Sequence, residues 1–106
     1  CHEFTADGKN KTGPMLWNIV DASKGMKDGF NYSDALVGMG GTWDYNALNA
    51  FLYKPKAYIK GTKMNFVGLK KPSDRANMIA YLRSLADTPV ALPSQTQIDA
   101  EEISIQ

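Results

Sequence analysis

Cysteine and histidine are almost missing from this 106-residue chain, which has one of each, side by side at Cys1 and His2. A lone cysteine excludes an internal disulfide framework, so Cys1 is free, bonded to another chain, or joined covalently to something that is not protein. One of each is too few for structural zinc, which wants four such ligands, or for blue copper, which wants two histidines beside its cysteine. A Cys/His nucleophilic pair is disfavoured as well, because adjacent residues rarely place sulfur and imidazole in line. No run approaches the roughly 18 apolar residues that span a bilayer, and no secretory hydrophobic region precedes Cys1, so any address is expected to have been removed.

Positive charge is missing from one end. Residues 86–106 hold Asp87, Asp99, Glu101 and Glu102 but no lysine or arginine. The chain as a whole has 12 basic and 11 acidic groups; with those four carboxylates set aside, the body carries 12 against seven, a net of +5. Such an excess attracts acidic partners over about a Debye length, roughly 8–10 Å in physiological salt, although lysines kept only for solubility would look the same. At this length and 43% hydrophobic content, the chain fits one small domain with a modest core.

Regular periodicity is scarce in the first thirty residues, where glycines at 8, 13, 25 and 29 and Pro14 break every pattern. Yet Phe4, Leu16, Trp17, Ile19 and Val20 lie there and need something to pack on. Three helices are legible further on. The clearest follows Pro72, with Ser73 as cap, Asp74 at the positive helix end, and Met78, Tyr81, Leu82 and Leu85 at i, i+3, i+4 and i+7. A second starts from a Thr42 cap, presents Leu48, Phe51 and Leu52, and stops before Pro55. A shorter one runs from Ser33 through Ala35 to Val37 and stops at Gly38. Beyond Leu85, two prolines and polar filler predict a tail without a fixed core.

Adjacent Cys and His suit covalent haem attachment, in which C-x-x-C-H puts a thioether-forming sulfur directly before an iron-ligating imidazole. Only the last two letters of that motif are present, and by themselves they are what chance neighbours at a terminus look like. The stretch YIKGTKMNFVGLKK adds Met64, whose thioether would complete a His/Met ligand pair on iron, although a bare methionine is more often core filling.

Several pieces then fall into one order: CH at 1–2, KTGP at 11–14, GFNYSDA at 29–35, TW at 42–43, PKAYIKGTKMNF at 55–66, and GLKK followed by a closing helix with IAYL at 79–82. From Cys1 to about Leu85, the sequence resembles class I cytochrome c of the mitochondrial and α-proteobacterial type. The resemblance implies an all-α fold wrapped around haem over residues 1–86, here lacking the N-terminal helix, with 87–106 as a flexible acidic tail. It implies haem c held through Cys1 and a missing upstream cysteine, with His2 and Met64 as the axial iron ligands. Pro14 would take the other imidazole nitrogen through its carbonyl. Thr62 would support the Met64 loop, Tyr32, Ser33 and Trp43 would hydrogen-bond around the haem propionates, and Leu16, Phe51, Leu52 and Phe66 would pack on the haem.

The departures from that pattern are specific. The chain is expected to be a fragment that starts inside the attachment motif, so any membrane anchor would lie in the missing N-terminus. Met78, Tyr81 and Leu82 would then lose the cover of the absent helix. Ala22 stands where the family usually has an arginine, Leu36 where it has an asparagine, and Phe51 where it has a tyrosine. Lys60 replaces a proline that usually stiffens the Met64 loop, so displacement of Met64 at raised pH is expected to be easier. The implied role is one-electron transport in a respiratory chain, not enzymology, by a monomer in the bacterial periplasm or the mitochondrial intermembrane space. Lys11, Lys56, Lys63, Lys70 and Lys71 would steer it to acidic docking faces of oxidase- or reductase-type complexes. The rival readings are a peroxidase-like haem enzyme that has shed Met64, or a cofactor-free basic binding module; no nucleic-acid motif supports the latter.

Overall fold

The computed structural model describes residues 2–27 and 29–105, so Cys1, expected to carry the thioether, lies outside the described residues. Five helices follow one another: α1 (Asp34–Met39), α2 (Tyr45–Tyr53), α3 (Pro55–Tyr58), α4 (Pro72–Ser84) and α5 (Gln95–Ile105). Among the described residues there is no sheet, only a single antiparallel bridge between Ser23 and Thr42, and no helix precedes Asp34. No described helix is long and apolar enough to cross a membrane.

Each helix starts where a side chain or a proline supplies the first turn. Ser33 caps α1, its hydroxyl oxygen accepting from the Leu36 amide, and the helix runs past Gly38 to stop at Gly40. Asp44 caps α2 by accepting from Ala47 N at 2.8 Å, which displaces the expected Thr42 cap by two positions. Thr42 instead continues the bridge to Ser23. α4 places Pro72 in its first turn, where no amide is needed, so Ser73 falls inside the helix and is not the cap.

α2 is the central element and touches α3, α4 and α5. Its Ala47, Leu48 and Leu52 join Ile19, Trp43, Ile59, Ile79 and Leu82 in the buried core. Leu52, expected against cofactor, is therefore part of the protein's own core. α4 faces this core with Arg75, Ile79 and Leu82, spaced i, i+4 and i+7. Of the three residues expected to lose their cover, Met78 and Tyr81 are exposed, with Phe4 meeting Tyr81 edge-on at 6.4 Å between ring centroids, but Leu82 is buried in the core.

The segment without periodicity is fixed by its partners. Asp21 N donates to Trp43 O and Trp43 N to Ala22 O, both at 2.8 Å, so residues 21–24 lie against 41–43. Asn18 N donates to Leu85 O at 2.8 Å, while Trp17 Nε1 and Asn18 Nδ2 both donate to the Asp87 carboxylate, holding its pKa below the usual range. This threads Ile19 into the core from the loop side.

The 87–106 segment differs most from expectation. It was expected to be a flexible acidic tail, but it contains α5, and it returns to the domain. Ser94 opens that helix by accepting from Gln97 N at 3.1 Å, and its carbonyl takes the Ile98 amide. The tail is held because Glu102 pairs with Arg75, a cation with no solvent exposure of its own. Gln106 lies outside the described residues.

Since the Asp44 cap begins the helix on which the others pack, Asp44→Ala is expected to lower unfolding stability by about 1 kcal/mol in a denaturant titration. Thr42→Ala, at the position the sequence pattern favoured, is expected to cost less; the opposite order would contradict the observed cap.

Candidate functional site

The first half of the site is built by the loop at 10–16. Met15 N donates to Asn10 Oδ1 at 2.9 Å, and Leu16 N donates to Glu3 O at 2.9 Å, which fastens this loop beside His2. His2 Nδ1 then sits 2.7 Å from the Pro14 carbonyl oxygen. A carbonyl only accepts, so this geometry puts the proton on Nδ1 and leaves the Nε2 lone pair available, the tautomer that a metal-ligating histidine needs. The ring reaches this place because position 13 has no side chain: a Cβ on Gly13 would stand 2.3 Å from His2 Cε1.

The second half follows α3. Buried Ile59 anchors the start of the loop, the Thr62 amide returns to Ile59 O at 3.2 Å, and Thr62 Oγ1 accepts the Met64 amide at 3.3 Å. From there the chain is extended and alternates: Thr62, Met64 and Phe66 are half-buried, while Lys63, Asn65 and Val67 are exposed. Alternation of that kind puts Met64 and Phe66 on one side of the segment. Lys63 turns outward, with its ammonium 3.3 Å from the Asn31 carbonyl.

Tyr32, Ser33 and Trp43 have hydrogen-bond donors to spare. Tyr32 OH accepts from Lys27 N at 3.0 Å and Ser33 Oγ accepts from Leu36 N, so both hydroxyl hydrogens remain available. Burial raises the Tyr32 pKa, against the smaller lowering effect of the Lys27 amide, so the phenol stays a donor. Trp43 is buried as a residue, but among the described residues its indole N–H is neither hydrogen-bonded nor fully closed off from solvent. Phe51 packs edge-on against Trp43 at 5.0 Å between centroids, and Leu16 and Phe51 are only half-buried against the protein core.

These residues fit a c-type haem. They offer an imidazole with a free Nε2, a half-buried thioether, three unspent donors suited to a carboxylate, and incompletely covered apolar side chains.

Two features escaped the sequence pattern. Lys24 is buried, donates to Tyr58 OH at 3.0 Å, and places its ammonium 5.2 Å from the centroids of both Trp43 and Tyr58. Nothing in its local sequence marks it, since a lysine between serine and glycine reads as surface. The other is Arg75, whose single clue was an arginine on the core-facing stripe of α4.

The five lysines expected to dock partners are not equivalent. All five are exposed, but Lys11 lies 3.7 Å from Glu3 and Lys63 reaches the Asn31 carbonyl. Lys70 donates to the carbonyls of Tyr53 and Val67; desolvation, followed by the nearby Lys54 and Arg75 charges, pulls its pKa below the usual lysine value.

No family model matches the chain. It is 45% identical over 98 residues to a cytochrome c homolog of Bradyrhizobium diazoefficiens, a match covering 92% of this chain and 53% of that protein. To cytochrome c2 of Rhodomicrobium vannielii it is 49% identical over 82 residues, covering 77% of this chain and 66% of the relative. Among solved structures, cytochrome cH from Methylobacterium extorquens superposes with a TM-score of 0.74 at 42% identity, covering 79% of this chain and 84% of that one. The chain spans about half the length of the cytochrome c homologs it matches.

Gly13→Ala is expected to overpack the His2 ring and cost about 1–3 kcal/mol of stability. Nitrogen NMR of the imidazole should show loss of the Nδ1-protonated tautomer; an unchanged tautomer would mean that the ring is not held through this contact.

Proposed function

This chain belongs to the class I cytochrome c family, and from that premise we propose that it carries single electrons between larger redox proteins, with His2 and Met64 as the axial ligands. The observation that carries the reading is the His2 Nδ1 to Pro14 carbonyl bond, which leaves Nε2 as the only ring nitrogen available to a metal. Bound haem c supplies a one-electron iron couple. Pro14 holds the imidazole and makes it more basic, Thr62 steadies the Met64 backbone, and Phe66 shields the same side of the loop. Tyr32, Ser33 and Trp43 would give their free donors to the propionates. With His2 and Met64 both holding the iron, no place on it would remain for a substrate, so the reading is a carrier and not an enzyme. A peroxidase-like activity would require Met64 to leave, and a cofactor-free module would be colourless.

Lys11, Lys56, Lys63, Lys70 and Lys71 are the proposed docking residues toward acidic faces of oxidase- or reductase-type complexes. The +5 body supports this reading; all five are exposed, and Lys56 and Lys71 are best placed because their ammonium groups are not engaged with other described residues, as those of Lys11, Lys63 and Lys70 are. Lys70, bonded to two carbonyls, would contribute field more than contact. The proposed state is a monomer. Because covalent haem attachment takes place outside the cytoplasm and the relatives named above are bacterial, the proposed compartment is the periplasm.

Two measurements test the carrier reading. Met64→Ala should abolish the far-red sulfur-to-iron absorption band of the ferric protein while leaving haem attached; a chain without haem, or a variant with unchanged axial ligation, would refute it. Electron transfer to an acidic partner should slow on the order of tenfold between low and physiological ionic strength. A rate that ignores salt would remove the lysines from the encounter.

A further inference from the structure

We propose that helix α5 governs how readily Met64 gives up its axial position, acting through Arg75 as a positioning residue. The inference rests on the reading of Met64 as an iron ligand. It begins with the return of the loop that carries Met64. Leu69 N donates to Leu52 O at 2.7 Å, bringing the chain back onto the end of α2. Gly68 makes that crossing at φ +106°, where a Cβ would stand 2.2 Å from the Tyr53 carbonyl oxygen.

Arg75 then closes the return. Its Nη1 donates to the carbonyls of Leu69 at 2.9 Å and Lys70 at 3.0 Å, and its Nε donates to Asn49 Oδ1 at 2.7 Å. The guanidinium also lies 5.0 Å from the Tyr53 ring centroid. It therefore binds the downstream end of the Met64 loop to α2. By contrast, the span 63–67 has few fixed points: the Met64 amide to Thr62, the Lys63 contact to Asn31, and the Val67 carbonyl to Lys70.

What keeps Arg75 in place is α5. Glu102 gives one carboxylate oxygen to Arg75 Nη2 and accepts from Asn49 Nδ2 with the other at 2.9 Å. Among the described residues, Glu102 is the only anion that Arg75 pairs with. A guanidinium with no exposure and no counter-charge is strongly disfavoured, so losing Glu102 drives Arg75 toward water and releases the carbonyls of Leu69 and Lys70. The Met64 loop then opens from its downstream end. Closure of the strap seats the sulfur; its release lowers the cost of losing it.

The test uses the haem-loaded full chain in the ferric state, titrated with imidazole, which competes for the position held by Met64. Apparent affinity includes the loop-opening equilibrium, so easier opening reads as tighter binding. Glu102→Gln and Glu102→Ala are expected to bind imidazole at least about fivefold more tightly than the unmodified chain, with alanine the larger effect. Hydrogen exchange of the Leu69 amide should quicken in parallel. Glu101→Gln, on the same helix but not bonded to Arg75, is expected to stay within about twofold. Unchanged affinity in both Glu102 variants, or an equal gain in Glu101→Gln, would overturn the strap. If the unmodified chain lacked the sulfur-to-iron band, the ligand assignment would fall and the strap with it, whereas a normal band with unmoved imidazole affinity condemns the strap alone.

Discussion

Burial of the Arg75 guanidinium is the constraint around which the second half of the molecule is arranged. A guanidinium has five N–H groups and cannot shed its charge, so a site without solvent must supply both acceptors and an anion. Here they come from three places: Asn49 of α2, the carbonyls of Leu69 and Lys70, and Glu102 of α5. No local stretch could provide that set. Satisfying one side chain therefore brings two helices and a loop end onto α4, and breaking such a buried pair costs about 3–5 kcal/mol in other proteins.

The first half of the chain solves the converse problem, that of fixing a segment with no periodicity. Its backbone groups go to fixed partners: Asp21 and Ala22 to Trp43, Asn18 to Leu85, Leu16 to Glu3. Each bond joins residues that are remote in sequence or turns the chain sharply, as at Asn18 and Asp21, which adopt positive φ. The product is a loop stiff enough to present an imidazole. His2 and Met64 belong to opposite regimes, one held by loop-to-loop bonds and the other by a loop pinned at both ends to helices.

Much of this was legible in residue order. Ser33, Pro72 and the 3.6-residue pattern located α1 and α4, and KTGP and YIKGTKMNF are the stretches that carry His2's carbonyl partner and Met64. The expectations that failed did so for definable reasons. Thr42 and Asp44 are both good caps, and only the bridge to Ser23 decides between them. Met78 and Tyr81 are exposed, as the absent helix implied, but Leu82 is buried, because the core meets α4 through Arg75, Ile79 and Leu82. The segment after Leu85 resembles a solvated tail in its prolines and carboxylates, yet Ser94-x-x-Gln97 within it starts a helix.

Residue order by itself determined which groups were available: a single imidazole, a thioether sixty-two positions later, a glycine beside Pro14, and a chain of matching motifs in one sequence. Those are matters of covalent chemistry and spacing, which need no partner to be read. The tertiary structure decided which groups are used and which are buried. That Arg75 rather than a leucine lies at the heart of α4's contacts, that Glu102 answers it, and that Lys24 lies between two aromatic rings depend on atoms brought together from distant parts of the chain. Burial and pairing are properties of neighbours in space, and a linear pattern carries them only where the neighbours are also close in sequence.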